Sequence, residues 1–131
     1  SLTELDVSSF NTARVKNMQQ MFYDCNKIVN LNISSFDTSN VTNMSKMWYN
    51  CKSISVLDLS GFNTAKVTTM DYAFYACHGM TTLILGENFK FVGDTYSIPL
   101  SSWVNSNGEM FESDGTNSNL PSNVADVYKK M

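Results

Sequence analysis

Three cysteines and one histidine are the residues of this sequence most suited to metal binding or nucleophilic catalysis. Cys25, Cys51 and Cys77 could form a disulfide or hold a metal, and His78 is the only histidine that a Ser-His-Asp arrangement could use. An odd number of cysteines cannot pair fully, and neither a CxxC spacing nor a histidine pair indicates zinc. We therefore expect no metal and no cofactor, and we expect His78 to be a surface or helix-capping residue.

Two carboxylates at matching positions suggest a second kind of chemistry. Asp6 and Asp58 are separated by Asn32 at the same position of a repeat. On adjacent parallel strands the two carboxylates would lie roughly 9–10 Å apart, which superficially suits an inverting glycosidase. A polar position that faces outward in every unit explains the pair better. The sequence therefore predicts a protein that is not an enzyme, with a hydrolase as a remote alternative.

The elements that position these residues follow from a repeat of 26 residues. Three units and the start of a fourth match without a gap, beginning near Leu5, Leu31, Leu57 and Leu83. So many matches at one offset establish a repeat protein. The matching positions form columns, which include Thr12, Thr38 and Thr64; Phe22, Trp48 and Phe74; Tyr23, Tyr49 and Tyr75; and the three cysteines.

Each unit contains two hydrophobic periods. Leu31 and Ile33 alternate with polar residues as in a strand. Stacked units would form a parallel sheet on one face and short helices on the other, and would bury the Phe22–Trp48–Phe74 and cysteine columns. The sequence therefore predicts an α/β fold, a right-handed leucine-rich-repeat solenoid. The helical stripe, at i, i+3, i+4, i+7 and i+10, consists of Met44, Met47, Trp48, Cys51 and Ile54.

The period ends after Gly86. We expect residues 1–85 to form the repeats and residues 86–131 to form a C-terminal cap over the end of the array.

Two local signals describe this cap. Asn107-Gly108 is a favoured hairpin dipeptide. It outweighs the partial likeness of this segment, from Asn105 to Glu109, to a calcium loop, because the EF-hand register is absent. Ser122-Asn123 would begin a short helix that ends near Lys130.

The repeat pattern resembles a known family. Leu-x-Leu-Ser-x-Phe-x-Thr-x-x-Val-x-x-Met-x-x-Met-Phe-x-x-Cys-x-x-Ile is similar to the BspA-type leucine-rich repeats of bacterial surface proteins, long classed as a domain of unknown function. The likeness covers residues 2–85, with Trp48 in place of the usual Phe and Ala73 in place of the second Met. It implies display outside the cell and adhesion to a host or cell-surface protein or glycan.

Composition excludes two other classes of partner. The 131 residues carry a net charge of −3 with scattered lysines and arginines, so we expect no nucleic-acid binding. No apolar run approaches the roughly 20 residues that span a bilayer, so we expect no membrane insertion. The chain opens on Ser1-Leu2-Thr3 without an initiator Met or a signal peptide. We therefore expect a piece of a longer protein, with its signal and anchor elsewhere.

Two outward columns are candidate ligand-binding surfaces. One consists of Tyr23, Tyr49 and Tyr75, although rings that merely cover the repeat would occupy the same positions. The other is the sheet face. The predicted function is an extracellular adhesion module, with a structural spacer as the alternative: a spacer should keep its outward columns uniform, whereas a binding surface should vary. The sheet face carries Asp6, Asn32 and Asp58, with Glu4, Asn30 and Val56 beside them.

Overall fold

The computed structural model describes residues 3–131, and within this range it contains strands and no helix. Residues 1 and 2, the first two of the predicted repeat region 1–85, lie outside the described residues. The strands are β1 Glu4–Asp6, β2 Asn30–Asn32, β3 Val56–Leu59, β4 Thr82–Leu85, β5 Ser101–Val104, β6 Met110–Ser113 and β7 Asp126–Lys130.

The strands form two separate sheets. Strands β1 and β2 pair in parallel, and a five-stranded sheet follows in the order β3-β4-β7-β5-β6. Both parallel pairs keep the 26-residue register, with Leu5 opposite Leu31 and Leu57 opposite Leu83. The predicted α/β leucine-rich-repeat solenoid is therefore wrong: the described chain is all-β, and its sheets are not joined between β2 and β3.

The segments predicted as helices are chains of tight turns that bond to the next repeat. In the first unit, Met21 N–H donates to Met18 O within the unit (3.2 Å), whereas Gln20 N–H donates to Ser45 O of the next unit (3.0 Å). This alternation continues, because Phe22 N–H donates to Met47 O at 2.9 Å. An α-helix needs its N–H groups for bonds to residue i−4, so these segments cannot be helical.

Left-handed residues make this turn chain possible. Lys46 and Asn50 have φ of 55° and 63°, far from the helical value near −63°. The apolar residues of the stripe still fall on one side, and Met44, Met47 and Trp48 are fully buried. The equivalent residues of the other units have the same conformation: Gln20, Asp24, Tyr72 and Ala76.

A column of buried threonines joins each unit to the next. Thr38 Oγ1 donates to Asn63 O at 3.0 Å and accepts from Asn63 N–H at 2.8 Å. Thr64 makes the same two bonds to Lys90, which lies beyond the last full repeat. A hydroxyl is suited to this position because it is both a donor and an acceptor.

The predicted C-terminal helix is wrong, because its residues form β7. Strand β7 pairs antiparallel with β4, with Tyr128 opposite Leu83, and so covers the free edge of β4. The expected helix-capping residues serve other bonds: Ser122 Oγ accepts from Phe91 N–H at 2.9 Å, and Asn123 Nδ2 donates to Glu87 O at 3.1 Å.

Candidate binding surface

The three repeated tyrosines form one stack on the surface, which we call the tyrosine ladder (Tyr23, Tyr49 and Tyr75). Ring centroids lie 4.8 Å apart at each step, with interplanar angles of 14° and 23°. Tyr23 and Tyr75 are each 44% exposed. The turn chain sets this spacing, because it holds equivalent residues of neighbouring units side by side.

Stacking decides which atoms of the ladder a partner could reach. Tyr49 has a ring on each side, so its hydroxyl and ring edge are presented, not its faces. Burial raises the pKa of Tyr49, and the neighbouring Tyr23, Tyr75 and Tyr72 add to the rise. The Tyr49 hydroxyl at the centre of the ladder therefore stays protonated at neutral pH.

A fourth tyrosine widens the C-terminal end of the ladder. Tyr72 is 43% exposed and meets Tyr75 edge-on, with centroids 6.0 Å apart and planes at 88°. Sequence reasoning missed Tyr72, because its column holds Gln20 and Lys46 in the other units and a search for repeated residues passes over it.

Asp6, Asn32 and Asp58 on the sheet face are exposed at or next to the last residue of β1, β2 and β3, but one side-chain oxygen of each accepts a hydrogen bond. Asp6 Oδ1 accepts from Ser8 N–H at 2.9 Å. Hydrogen bonding by the hydroxyl and the backbone amide of Ser8 lowers the pKa of Asp6. Asp58 Oδ1 accepts from Ser60 N–H at 3.0 Å, and Asn32 makes the equivalent bond to Ser34. These are turn contacts of the Asx type, which explain the repeated position without catalysis.

The cysteine column contributes hydrogen bonds as well as packing. Cys51 Sγ donates to Phe22 O at 3.1 Å, and Cys77 Sγ donates to Trp48 O at 3.0 Å. Burial raises the pKa of Cys77 to about 12 and raises that of Cys51 further, so both thiols stay protonated. Cys51 and Cys77 are buried, whereas Cys25 is half-buried.

The aromatic column beside the cysteines lies in the core. Phe22, Trp48 and Phe74 are all buried, and Trp48 stacks on Phe74 with centroids 5.1 Å apart.

All three cysteines are free, and no group of three or more His, Cys, Asp or Glu among residues 3–131 is placed to hold a metal ion.

The segment with a likeness to a calcium loop is a hairpin turn. Asn105 Oδ1 accepts from the N–H groups of Asn107 and Glu109 at 3.0 and 2.9 Å, and Gly108 has φ of 81°. The carbonyl oxygen of the Asn105 side chain is thereby used inside the turn between β5 and β6.

A cavity opens where the repeats meet the cap. It has a volume of about 380 Å³, and we call it the junction cavity. His78, which is exposed, belongs to its wall, so the histidine lies beside the C-terminal end of the ladder. Its lining consists of Tyr75, Ala76, His78, Ser97, Pro99, Leu100, Gly115 and Lys130.

Fold and surface together define a repeat protein whose stacked units are joined through their backbones and covered by a β-structured cap. Residues 1–123 match the model of a family described as "Mycoplasma protein of unknown function, DUF285", and the chain belongs to that family. The expected BspA-type leucine-rich-repeat membership is wrong, because the matching family is a different one and the repeats contain no helix. No curated protein and no solved structure matches the chain. Within residues 3–131 no helix has the length and apolar character required to cross a bilayer.

Proposed function

We propose that this chain is a binding module, and that the tyrosine ladder is its contact surface for a protein or glycan partner. The ladder itself is the observation that carries the proposal. Tyr23 and Tyr75 expose almost half of their surface, although the same chain buries its other aromatic column completely. Large aromatic side chains kept at a surface are typical of recognition sites.

The rigidity of the ladder supports this proposal. A tyrosine loses side-chain entropy when a partner fixes it, at about 0.5–1.5 kcal/mol for each immobilised side chain. Stacking at 4.8 Å already restricts the rings, so part of that entropy is lost before a partner binds. The ladder is uniform, which is the property expected of a spacer, but a row of hydroxyls at a constant spacing also suits a partner with repeated polar groups.

The sheet face is the weaker candidate. The side-chain oxygens of Asp6, Asn32 and Asp58 accept hydrogen bonds from the following backbone, which explains these residues without a partner. Catalysis has no comparable support, since the two aspartates lie on strands of different sheets and each is engaged in its own turn.

Binding to an array of mammalian glycans and to a panel of purified extracellular-matrix proteins tests the proposal. We expect the chain to bind a subset of either panel. Replacing Tyr23, Tyr49 and Tyr75 together by Ser should weaken that binding at least tenfold, or about 1.4 kcal/mol.

A matched control removes exposed apolar surface elsewhere. Phe10→Ser with Met110→Ser, at two positions about half exposed, should leave binding unchanged. Equal loss in both variants would contradict the assignment of binding to the ladder. No binding by the original chain to either panel would contradict the proposal and favour a spacer.

Surface display is part of the same proposal. Antibody labelling of intact cells that make the protein should succeed without permeabilisation. Labelling that requires permeabilised cells would place the protein inside the cell and would contradict surface display.

A further inference from the structure

The junction cavity lies at the C-terminal end of the tyrosine ladder, between the third repeat and the cap. Its volume of about 380 Å³ is near the lower end of the roughly 300–1,000 Å³ that is usual for small-molecule sites. The cavity is therefore suited to one or two rings of a ligand and not to a folded segment of a partner.

Tyr75, a lining residue of the cavity, has one ring face that is free of aromatic stacking within residues 3–131. Tyr49 covers one face of Tyr75, and no stacked aromatic ring covers the other face among the residues described. Tyr75 lines the cavity together with Pro99 and with Leu100, which is 71% exposed. The C–H groups of a sugar ring are weakly positive and pack on the negative face of an aromatic ring.

Basic side chains, and no acidic one, line the cavity. Lys130 and His78 lie in its lining, and none of the lining residues is acidic, although the whole chain carries a net charge of −3. The nearest carboxylate in the sequence, Asp114 beside Gly115, accepts from Thr116 N–H at 2.8 Å and lines a different depression. An anionic group in the junction cavity would meet donors and no lining carboxylate.

We propose that the junction cavity binds an acidic sugar residue, with its ring on the free face of Tyr75 and its carboxylate at Lys130 and His78. This inference rests on the proposed function, because it names the ligand class for the C-terminal end of the ladder. In an oligosaccharide, the sugar residues next to the acidic one would then reach the hydroxyls of Tyr49 and Tyr23.

An acidic peptide is the competing ligand, and the backbone of the cavity disfavours it. Peptides that bind along strands need free main-chain groups. Ser97 N–H already donates to Thr116 O at 3.1 Å, and Lys130 N–H donates to Thr81 O at 2.8 Å. Recognition here has to use side chains, which suits a sugar ring with a carboxylate.

NMR titration of the ¹⁵N-labelled chain tests the inference, with methyl glucuronide and methyl sialoside as acidic probes and methyl glucoside as the neutral probe. We expect amide shifts at Tyr75, His78 and Gly115 with at least one acidic probe, and at least tenfold weaker binding of the neutral one. Lys130→Gln should abolish the shifts. Lys129→Gln removes the same charge from the adjacent, exposed residue and should leave them unchanged.

Three results would overturn the inference: no cavity shifts with either acidic probe, equal binding of the neutral probe, or equal loss in both lysine variants. A hexaglutamate peptide that binds the cavity as tightly as the sugars would assign it to acidic peptides and reject the sugar. If the panels show binding that depends on the ladder while the acidic probes leave the cavity unchanged, the proposed function stands and this inference fails. Native-like spectra of both variants exclude misfolding as the cause.

Discussion

In residues 3–85 many of the hydrogen bonds and ring contacts recur at a 26-residue offset, whereas those within residues 86–131 follow no repeat. Thr12 Oγ1 bonds to the backbone of Asp37 just as Thr38 bonds to Asn63. In the cap, Tyr96 Oη accepts from Ser118 N–H at 3.0 Å, and nothing in the repeats corresponds to this bond. The repeats are stabilised by the same contact made in successive units. At the junction between residues 85 and 86, these repeated contacts meet the unrepeated contacts of the cap.

The largest effect is expected at this junction. A Cβ on Gly86 would lie 2.1 Å from Ser60 O, a backbone atom that cannot move independently. Gly86→Ala should therefore destabilise the chain by about 3 kcal/mol, the upper end of the usual range for overpacking. Urea unfolding measures the change. Gly61→Ala is the control, since its added Cβ has no neighbour closer than 3.8 Å, and an equal loss there would contradict the prediction.

The next effect tests whether the threonine column joins the units. Thr38→Val keeps the shape but leaves Asn63 N–H and O without their partner. We expect a loss of about 1–3 kcal/mol in the free energy of unfolding, the cost of unsatisfied buried polar groups. Thr42→Val removes one bond at an exposed position and should change stability by less than about 0.5 kcal/mol. Equal losses would show that the column is not special.

The reactivity of the three thiols should differ between the N-terminal repeat, which holds Cys25, and the following repeats, which hold Cys51 and Cys77. Because burial raises the pKa of Cys51 and Cys77, thiolate is scarce at both sites at pH 8, whereas Cys25 is only half-buried. Burial, with a smaller contribution from Asp24, also raises the pKa of Cys25, so its reaction should be slow but measurable. Mass spectrometry after iodoacetamide treatment should show Cys25 modified first and the other two only after unfolding. Simultaneous modification in the folded chain would contradict the burial of the column.

The smallest expected effect concerns the left-handed residues. Ala76 has φ of 61°, at the position that Asn50 and Asp24 occupy in the other units. Asparagine tolerates this conformation better than alanine does, so Ala76→Asn should stabilise the chain by about 0.5 kcal/mol. The urea midpoint should rise, and a lower midpoint would show that the side chain at this position matters more than its backbone.

The repeat offset could be predicted from the sequence, because side chains that stack on their equivalents must recur at the same interval. The equal spacing of Tyr23, Tyr49 and Tyr75 could be predicted for the same reason. The turn chain was not: Met44, Met47 and Trp48 have the spacing of a helical stripe, and left-handed turns at Lys46 and Asn50 place them on the same side. Lysine has no preference for that conformation, so Lys46 gave no sign of it, although Asn50 is of a residue type that adopts it more readily.

Long-range contacts limited the prediction in the cap and at the cavity. Strand β7 forms because β4 offers it a free edge, and neither strand contains a signal of the other. The junction cavity brings His78, Leu100 and Lys130 together from three distant parts of the chain. Only the folded protein shows that they share a wall.

The joints between units depend on main-chain atoms, and this bears on how the chain could evolve. The hydroxyls of Thr12 and Thr38 each hydrogen-bond to the backbone N–H and C=O of one residue in the next unit. That residue is Asp37 in one case and Asn63 in the other, so the bonds do not depend on its side chain. Deletion of residues 31–56 would bring Thr12 to Asn63 with both bonds intact. Gene duplications and deletions of 26 codons therefore preserve every joint, while those of other lengths shift inward residues outward. The fold thus allows whole units to be gained or lost by recombination.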